Sequence, residues 1–287
     1  MNLKMLNLLP SSIAGRIAFE LWQRPFKRGQ VRDTERKIHE AAKVEIVDGV
    51  VTYAWGDGRR PVLLVHGWRS RASRFHAFIT RLLDLGYSPI SYDAPGHGDS
   101  PGPVASILGH QRIIQGLEQR HGPFEGVIAH SLGVPFALYS VREGVAAGRV
   151  VAISGLAEFD YLVNAFCRAL GLGAKVNRAL RRSIERGYFG GDDQIWTKYS
   201  VSAGEVDLLV IHNDEDDVVD PTQAPVLLAA YGPRAHFLQT YGLGHRRIMI
   251  DPAVITEAVA FLQEGDRLRE GDRLRDSDVA ERLDLGA

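Results

Sequence analysis

A serine stands where a strand pattern turns directly into a helix pattern. The segment VIAHSLGVPFAL (127–138) has an apolar run, then Ser131 between small residues, then a helical sequence. This setting exposes a hydroxyl at the carboxyl edge of a sheet, above the free N–H groups of the helix. The usual pattern has glycine two residues before and two after the serine; Gly133 fits it and Ala129 departs from it. Ser131 is a candidate nucleophile, and a helix cap is its alternative role.

A serine hydroxyl becomes a nucleophile only when a base takes its proton, and one of the ten histidines stands in a suitable loop. His245 lies in GLGHRR (242–247), a glycine-flanked segment after a strand-like run, from which an imidazole can reach over a sheet edge. An ordinary loop histidine is the alternative. Five other histidines are interpreted as surface or helix-face residues: His39, His76, His110, His121 and His236.

An imidazole that acts as a base also needs an acceptor, which fixes its tautomer and stabilises its charge. The segment IHNDEDDVVDP (211–221) follows a buried strand pattern. It offers five acids: Asp214, Glu215, Asp216, Asp217 and Asp220. The same cluster could bind a divalent metal or form a solvated loop, although its spacing fits no ligand template. The residues by themselves leave the choice open.

Two further segments stand where strands end. The backbone N–H groups of HGW (66–68) are placed to share an oxyanion with the N–H of Leu132. YDAPGHGDS (92–100) is a turn rich in glycine and proline, and we interpret its Asp93 and His97 as residues that stabilise the turn.

The elements that must position these residues alternate along the chain. A hairpin is predicted around Asp48-Gly49, because alternating apolar runs stand on both sides of this turn pair. Apolar runs then predict buried strands. They lie at 61–67, 87–94, 124–131, 149–156, 206–213 and 235–242. Helices are predicted between and after them, at 73–86, 104–121, 132–147, 221–231 and 252–264. This alternation predicts a mostly parallel sheet covered on both faces, with the hairpin as an antiparallel edge.

Three parts of the chain stand outside this alternation. Residues 1–42 are predicted to be an N-terminal helical segment, in which Ile13, Ile17, Phe19 and Leu21 form an amphipathic helix that docks on the body of the protein; an interfacial or partner-binding role is the alternative. Within the main domain, 43–263, the segment 157–205 has helical patterns without a clear strand and would lie over one end of the sheet like a lid. The tail, 264–287, begins with EGDRLR written twice and is interpreted as a solvated helix or a disordered tail, with partner binding as the minority alternative.

Composition excludes several classes of protein. The 45% of hydrophobic and 24% of charged residues are typical of folded domains, and the formal charge of −1 gives no field that would recruit nucleic acid or an anionic membrane. The lone Cys167 rules out an internal disulfide and a cysteine-based zinc site. The N-terminus has neither a good secretory region nor a span long enough for a bilayer, so we expect a cytoplasmic protein.

Together these segments resemble the α/β-hydrolase fold, over about residues 43–263. The resemblance rests on VLLVHGW, YDAPGHGDS, AHSLGVPFA, IHNDEDDVV and GLGHRRI, which occur in the order typical of that superfamily. It implies a nucleophile, acid, histidine order of Ser131, Asp216 and His245. The acid follows from the family segment I-H-G-x-x-D-x-V-V, although an asparagine stands here in place of its glycine. The resemblance also implies oxyanion donors at the amides of Trp68 and Leu132, and a small helical cap at 157–205.

The resemblance implies a serine hydrolase that cleaves a carboxylic ester or thioester of a small-molecule acyl substrate. No metal or cofactor is expected, because no phosphate-cradling or dinucleotide motif occurs. An acyltransferase with the same triad and a non-catalytic binding protein on the same fold are the alternatives. Apolar residues at 159–172 could line an acyl pocket or simply pack the cap onto the body: Phe159, Tyr161, Leu162, Phe166, Leu170 and Leu172. The basic residues Arg181, Arg182 and Arg186 follow them.

Overall fold

The apolar runs form one mixed sheet in the computed structural model, which describes residues 3–25 and 27–265. The described strands are β1 Lys43–Val47, β2 Val50–Ala54, β3 Pro61–Val65, β4 Ser88–Tyr92, β5 Gly126–His130, β6 Arg149–Ile153, β7 Asp207–Asn213 and β8 Ala235–Thr240. They lie in the order β1-β2-β4-β3-β5-β6-β7-β8. Strand β2 is antiparallel to both neighbours, and every other adjacent pair is parallel. The predicted antiparallel edge is therefore confirmed.

Helices connect the strands and cover both faces of the sheet. The described α-helices are α1 Ser11–Trp22, α2 Asp33–Glu40, α3 His76–Asp84, α4 Ile107–His121, α5 Gly133–Arg142, α6 Tyr161–Leu170, α7 Ala174–Phe189, α8 Ile195–Lys198, α9 Gln223–Tyr231 and α10 Gly244–Arg247, and α11 covers 252–265. No described helix combines the length and the apolar character that crossing a bilayer requires. This arrangement confirms the predicted α/β-hydrolase fold class.

Alternate residues of the central strands enter two different cores. In β3, Val62 and Leu64 pack with α3 and α11, whereas Leu63 and Val65 pack with α4, α5 and α9. All four side chains are fully buried. Since successive residues of a strand point to opposite faces, a strand covered on both faces must be apolar throughout. The run PVLLV has this pattern. In the strand order β3 lies between β4 and β5, so its end lies near the centre of the sheet.

Helices α6, α7 and α8 lie between β6 and β7, within the predicted cap segment (157–205). They form a third apolar cluster that includes Val163 and Cys167 of α6 and Leu180 of α7. The thiol of Cys167 is buried there, with 3% of the residue exposed, and this burial raises its pKa. The same cluster contains Ala18 of α1 and Phe136 of α5, so it joins the cap segment to α1 and to the helices that cover the sheet.

Helix α1 docks on the cap segment through large and small residues together. Of the four residues predicted to form its apolar face, Ile17, Phe19 and Leu21 are partly buried and pack against the apolar cluster of the cap segment, whereas Ile13 is 42% exposed. The fully buried residues are small: Ala14, Gly15 and Ala18. They let α1 approach α7 of the cap segment closely, so the helix does not rest on the sheet.

The predicted tail falls almost entirely outside the described residues. Of the repeated EGDRLR segments at 264–275, only Glu264 and Gly265 are described, and they end α11.

Candidate active site

The turn between β5 and α5 holds Ser131 in a backbone conformation that side chains rarely adopt. Its φ is +57°, in the left-handed region, and its N–H donates to the carbonyl of Ile153 at 2.9 Å. Two glycines make room for this turn. A methyl group on Gly133 would overlap the carbonyl of Val65, and one on Gly67 would lie 2.7 Å from Ser131 Cβ. The strained turn therefore presents Ser131 at the end of β5, as the sequence pattern predicted.

Ala129 occupies the position at which the usual pattern has glycine. It lies inside β5, fully buried, and pairs with Val65 of β3 and Ala152 of β6. Its methyl group is accommodated in the core that contains α4 and α5. The departure from the pattern thus leaves the turn at Ser131 intact.

The structure brings Asp216 and His245 together. Asp216 follows β7, His245 lies in the short helix after β8, and His245 Nδ1 donates to Asp216 Oδ2 at 2.9 Å. Asp216 Oδ1 accepts from the amides of Val218 and Val219, both at 2.9 Å. Burial by itself would raise the pKa of Asp216, but the His245 hydrogen bond and charge and these amides outweigh it and lower the pKa to about 2. The carboxylate is ionised at neutral pH and fixes the tautomer of His245.

The other four acids of this loop have different surroundings. Asp214, Glu215 and Asp217 are exposed, and Asp220 accepts hydrogen bonds from Thr222 in its own turn. Within the described residues, no three acidic, histidine or cysteine side chains converge as metal ligands would. Of the five candidate acids, Asp216 is the one that the fold directs at the imidazole.

His130 links the serine turn to the histidine loop, a role that the sequence analysis missed. Its Nε2–H donates to the carbonyl of His245 at 3.0 Å, and the two rings lie 4.6 Å apart between centroids. Burial lowers the pKa of His130 to about 3, so the ring is neutral. One signal was available: a histidine at the last position of a strand, directly before the candidate nucleophile.

One link of the predicted triad is not made as a hydrogen bond. Among residues 3–25 and 27–265, no hydrogen bond joins the Ser131 hydroxyl to the His245 ring, and His245 Nε2 has no hydrogen-bond partner. The contacts of His130 nevertheless keep His245 beside the serine turn. The contact between nucleophile and base stays a prediction.

The two predicted oxyanion donors flank Ser131. Leu132 precedes the first turn of α5, and Trp68 follows Gly67, which packs on Ser131. In the described part of the chain, neither the Trp68 nor the Leu132 N–H donates a backbone hydrogen bond outside the helices and strands. Both residues line the same cavity as Ser131. Both N–H groups are therefore free of other backbone partners among the described residues, and their role as oxyanion donors stays a prediction.

Ser131 opens into a cavity of about 660 Å³. Apolar residues of the cap segment form much of its wall: Phe159, Tyr161, Leu162, Phe166 and Phe189. Six apolar residues were predicted either to line a pocket or to pack the cap. Four of them line this cavity: Phe159, Tyr161, Leu162 and Phe166. The other two, Leu170 and Leu172, pack within the cap. Among the three arginines that follow these residues in the sequence, Arg181 forms an ion pair with Asp160. The cavity suits an apolar group of substrate size.

Neutral histidines contribute to the polar part of the wall, which also includes the charged side chains Arg168, Asp217 and Asp220. His66 donates from Nδ1 to the Gly67 carbonyl and accepts at Nε2 from the Ala94 amide, and His110 bonds to the Tyr92 hydroxyl at 2.8 Å. His110 faces inward from its helix and is 4% exposed. Burial lowers the pKa of His66 to about 4 and that of His110 well below its usual value. These imidazoles therefore add polar groups to the cavity without adding charge.

Asp93 is fully buried and accepts hydrogen bonds from the amides of Ala72 and Asp99, at 2.8 Å each, and from the Tyr53 hydroxyl at 3.0 Å. These bonds tie the turn at 92–100 to the loop after β3. Asp93 thus holds two loops together and does not reach the cavity lining.

Comparison with known proteins points to one family. The model of a family described as "Alpha/beta hydrolase family" matches residues 62–282, more than half of the chain. No curated protein matches the sequence.

Several solved structures share this fold. A monoacylglycerol lipase from Paleococcus ferrophilus has a TM-score of 0.57 and 18% identity, over 75% of this chain and 99% of its own. An esterase from a Rhodococcus species has a TM-score of 0.57 and 18% identity, over 78% and 98%. A proline iminopeptidase-related protein from Thermus thermophilus has a TM-score of 0.57 and 17% identity, over 78% and 98%. At these identities the likeness shows the fold alone.

Proposed function

This chain belongs to the alpha/beta hydrolase family, and from that premise we propose that it is a serine hydrolase that cleaves a carboxylic ester or thioester through an acyl-enzyme on Ser131. The observation that carries the proposal is the hydrogen bond between Asp216 and His245, at 2.9 Å, beside the strained turn of Ser131. A buried carboxylate that orients an imidazole next to a serine is the arrangement that activates a hydroxyl.

The proposed reaction begins when His245 Nε2 takes the proton of Ser131 and Oγ attacks the acyl carbonyl. Asp216 stays ionised, because its pKa of about 2 lies far below neutral pH, and it stabilises the imidazolium that forms. His245 then gives the proton to the leaving alcohol or thiol. Water, activated by the same imidazole, cleaves the acyl-enzyme and restores the serine. Protein groups and water perform every step, so the proposal includes no metal or cofactor.

The tetrahedral intermediate carries a negative charge on the former carbonyl oxygen. We assign its stabilisation to the amides of Trp68 and Leu132, whose N–H groups make no other backbone hydrogen bond outside the helices and strands of the described chain. The loss of one such donor typically costs about 10²–10³-fold in rate. The N-terminal end of α5 adds a favourable dipole at the same place.

The cavity wall supports an apolar acyl or alcohol group in a small-molecule substrate. Aromatic and aliphatic side chains dominate the wall, and the histidines with lowered pKa values bring no charge. A charged substrate group placed against the apolar part of the wall, away from Arg168, Asp217 and Asp220, would lose its hydration without a partner. The expectation of a cytoplasmic location continues to rest on the sequence.

Labelling with a fluorophosphonate probe tests the proposal. We expect the wild-type protein to be labelled at Ser131, as located by peptide mass spectrometry, and to hydrolyse p-nitrophenyl acyl esters. Ser131→Ala should lose labelling and at least ~10³-fold in kcat. Ser154→Ala is the matched control, because Ser154 is also buried at the end of a strand with φ of +48° but does not line the cavity.

Two other outcomes would redirect the proposal. If product analysis with added alcohols or thiols finds transfer in preference to hydrolysis, the same residues serve an acyltransferase. If the protein is not labelled and wild type and Ser131→Ala behave alike on every ester, the fold serves as a binding protein and the catalytic proposal is wrong.

A further inference from the structure

The N-terminal helix α1 lies outside the region that the family model matches, yet its end reaches the cavity. The match begins at residue 62, whereas α1 covers Ser11–Trp22. Trp22 and Gln23 both line the cavity that contains Ser131. This part of the cavity wall therefore comes from outside the region that the family model matches.

Close packing fixes α1 against α7. A methyl group on Gly15 would lie 2.7 Å from the carbonyl oxygen of Ala179, so the two backbones approach each other closely. Ala14 and Ala18 are fully buried in the same contact. Such contacts between small residues bring helices nearer than bulky side chains allow and leave little freedom for sliding.

Hydrogen bonds hold the two ends of this N-terminal segment to the cap segment. Before α1, Asn7 Nδ2 donates to the Gly171 carbonyl at 3.0 Å, and Asn7 Oδ1 accepts from the Gly173 amide at 2.7 Å. After α1, the Tyr188 hydroxyl donates to Gln23 Oε1 at 2.9 Å. The N-terminal segment is therefore attached to the helices that form the cavity wall.

We propose that α1 is part of the substrate-binding wall and that the Trp22 indole limits the length of the apolar group that the cavity accepts. The inference rests on the proposed hydrolase function for the identity of that group. The indole is the largest side chain that α1 contributes, and it is partly exposed towards the cavity. Its removal would open apolar space in the wall of the cavity, which Tyr188 and Phe189 also line, while the packing at Gly15 stays intact.

The acyl-length profile of Trp22→Ala tests this inference. Hydrolysis of p-nitrophenyl esters from acetyl to dodecanoyl gives kcat/KM for each length. We expect the ratio of kcat/KM for the longest to that for the shortest esters to rise roughly tenfold, the gain expected when about two more methylene groups are buried. Trp22→Phe should give an intermediate ratio.

Ile13→Ala is the matched control, because Ile13 is a large apolar residue of the same helix that is 42% exposed and does not line the cavity. Its profile should equal that of wild type. An unchanged profile in Trp22→Ala, with circular dichroism and thermal unfolding like those of wild type, would overturn the inference. An equal change in Ile13→Ala would also overturn it, because the cause would then be general loosening of α1.

A binding measurement separates this inference from the hydrolase proposal. Straight-chain 2-alkanones of increasing length can be titrated calorimetrically into Ser131→Ala and into Ser131→Ala combined with Trp22→Ala. A shift of the tightest binding to longer alkanones in the double variant supports the wall even if wild type hydrolyses no ester. Identical Kd series for the two proteins contradict it even if wild type is an active esterase.

Discussion

At the scale of single residues, the surroundings of Asp216 distinguish it from its acidic neighbours. Its side chain is fully buried, accepts from two backbone amides and bonds to His245, whereas Asp217 beside it is exposed. Two chemically identical carboxylates, one position apart, thus differ in whether they can interact with the imidazole. One can orient an imidazole, and the other is solvated.

We expect Asp216→Asn to lower kcat far more than Asp214→Asn or Asp217→Asn. An amide cannot stabilise the imidazolium and favours the wrong tautomer of His245, a change that costs on the order of 10⁴-fold in a comparable triad. Asp214→Asn should stay within about twofold of wild type, because its side chain is exposed and does not line the cavity. Asp217→Asn should lose far less than Asp216→Asn, because Asp217 lines the cavity but makes no hydrogen bond to His245. Steady-state kinetics on one ester measures kcat for all three variants. Equal losses of kcat would mean that Asp216 is not the acid of the triad.

The sequence predicted the residues whose roles follow from local pattern. Ser131 was found from a strand-turn-helix pattern, and Asp216 from a family segment. The pair of Asp216 and His245 forms as predicted, at 2.9 Å. His130 and Trp22 were missed, because their roles depend on contacts with residues more than 100 positions away, which no local spacing records.

At the scale of elements, the turn before α5 depends on the absence of one side chain. We expect Gly133→Ala to destabilise the protein by about 1–3 kcal/mol or more, since its methyl group would overlap the Val65 carbonyl and something must shift. Gly116→Ala, inside α4, is the control and should be neutral or stabilising by up to ~1 kcal/mol. Urea unfolding followed by circular dichroism measures both, and a stable Gly133→Ala protein would show that the turn has room.

Helix α2 braces the loop that follows β3. The carboxylate of Glu35 is 1% exposed, accepts from Ser73 Oγ at 2.8 Å and pairs with Arg74. These partners lie shortly after Trp68 in the chain. Helix α2 therefore stabilises the loop that holds Trp68, one of the two proposed oxyanion donors.

Glu35→Ala should reduce the free energy of unfolding by about 2–3 kcal/mol, because it leaves the partly buried guanidinium of Arg74 without its carboxylate. Asp33→Asn on the same helix should change it by less than ~1 kcal/mol, since that carboxylate is 96% exposed and its ion pair with Arg36 is solvated. Denaturant titration compares the two. Equal effects would mean that α2 contributes no specific brace.

Element type and order could be predicted from periodicity, since strands buried on both faces and amphipathic helices differ clearly in pattern. The docking face of α1 could be predicted only in part. The pattern indicated Ile17, Phe19 and Leu21, which pack against the cap segment, but it also indicated Ile13, which is exposed, and it missed the small residues Ala14, Gly15 and Ala18 at the closest contact with α7. Hydrophobic patterning reports which side chains avoid water and does not report how closely two backbones can approach.

At the scale of the whole molecule, four buried histidines couple stability to pH. Burial lowers the pKa of His66 and His97 to about 4 and of His130 to about 3, and that of His110 well below 6.5. The unfolded chain, with pKa values near 6.5, binds more protons than the native protein at pH between these values. Stability is therefore present near neutral pH and is lost as pH falls.

We expect the free energy of unfolding to fall between pH 6.5 and 4, with a slope of up to roughly 5 kcal/mol per pH unit when all four histidines contribute. A stability of about 5–15 kcal/mol would then be exhausted within a few pH units. Urea unfolding at a series of pH values measures the slope. His97→Gln should reduce the number of protons taken up on unfolding by about one, and the slope in proportion. A free energy of unfolding that stays constant from pH 7 to 5 would contradict this account.

The lone cysteine makes the cap segment observable. Thiol reagents react with an accessible thiolate, and Cys167 is buried against α7 with a raised pKa. Modification under native conditions therefore requires α6 to separate transiently from its neighbours. Phe166, next to Cys167 in sequence, lines the cavity. The rate at which Cys167 is modified therefore reports how often this part of the cap segment opens near Ser131, without any engineered label.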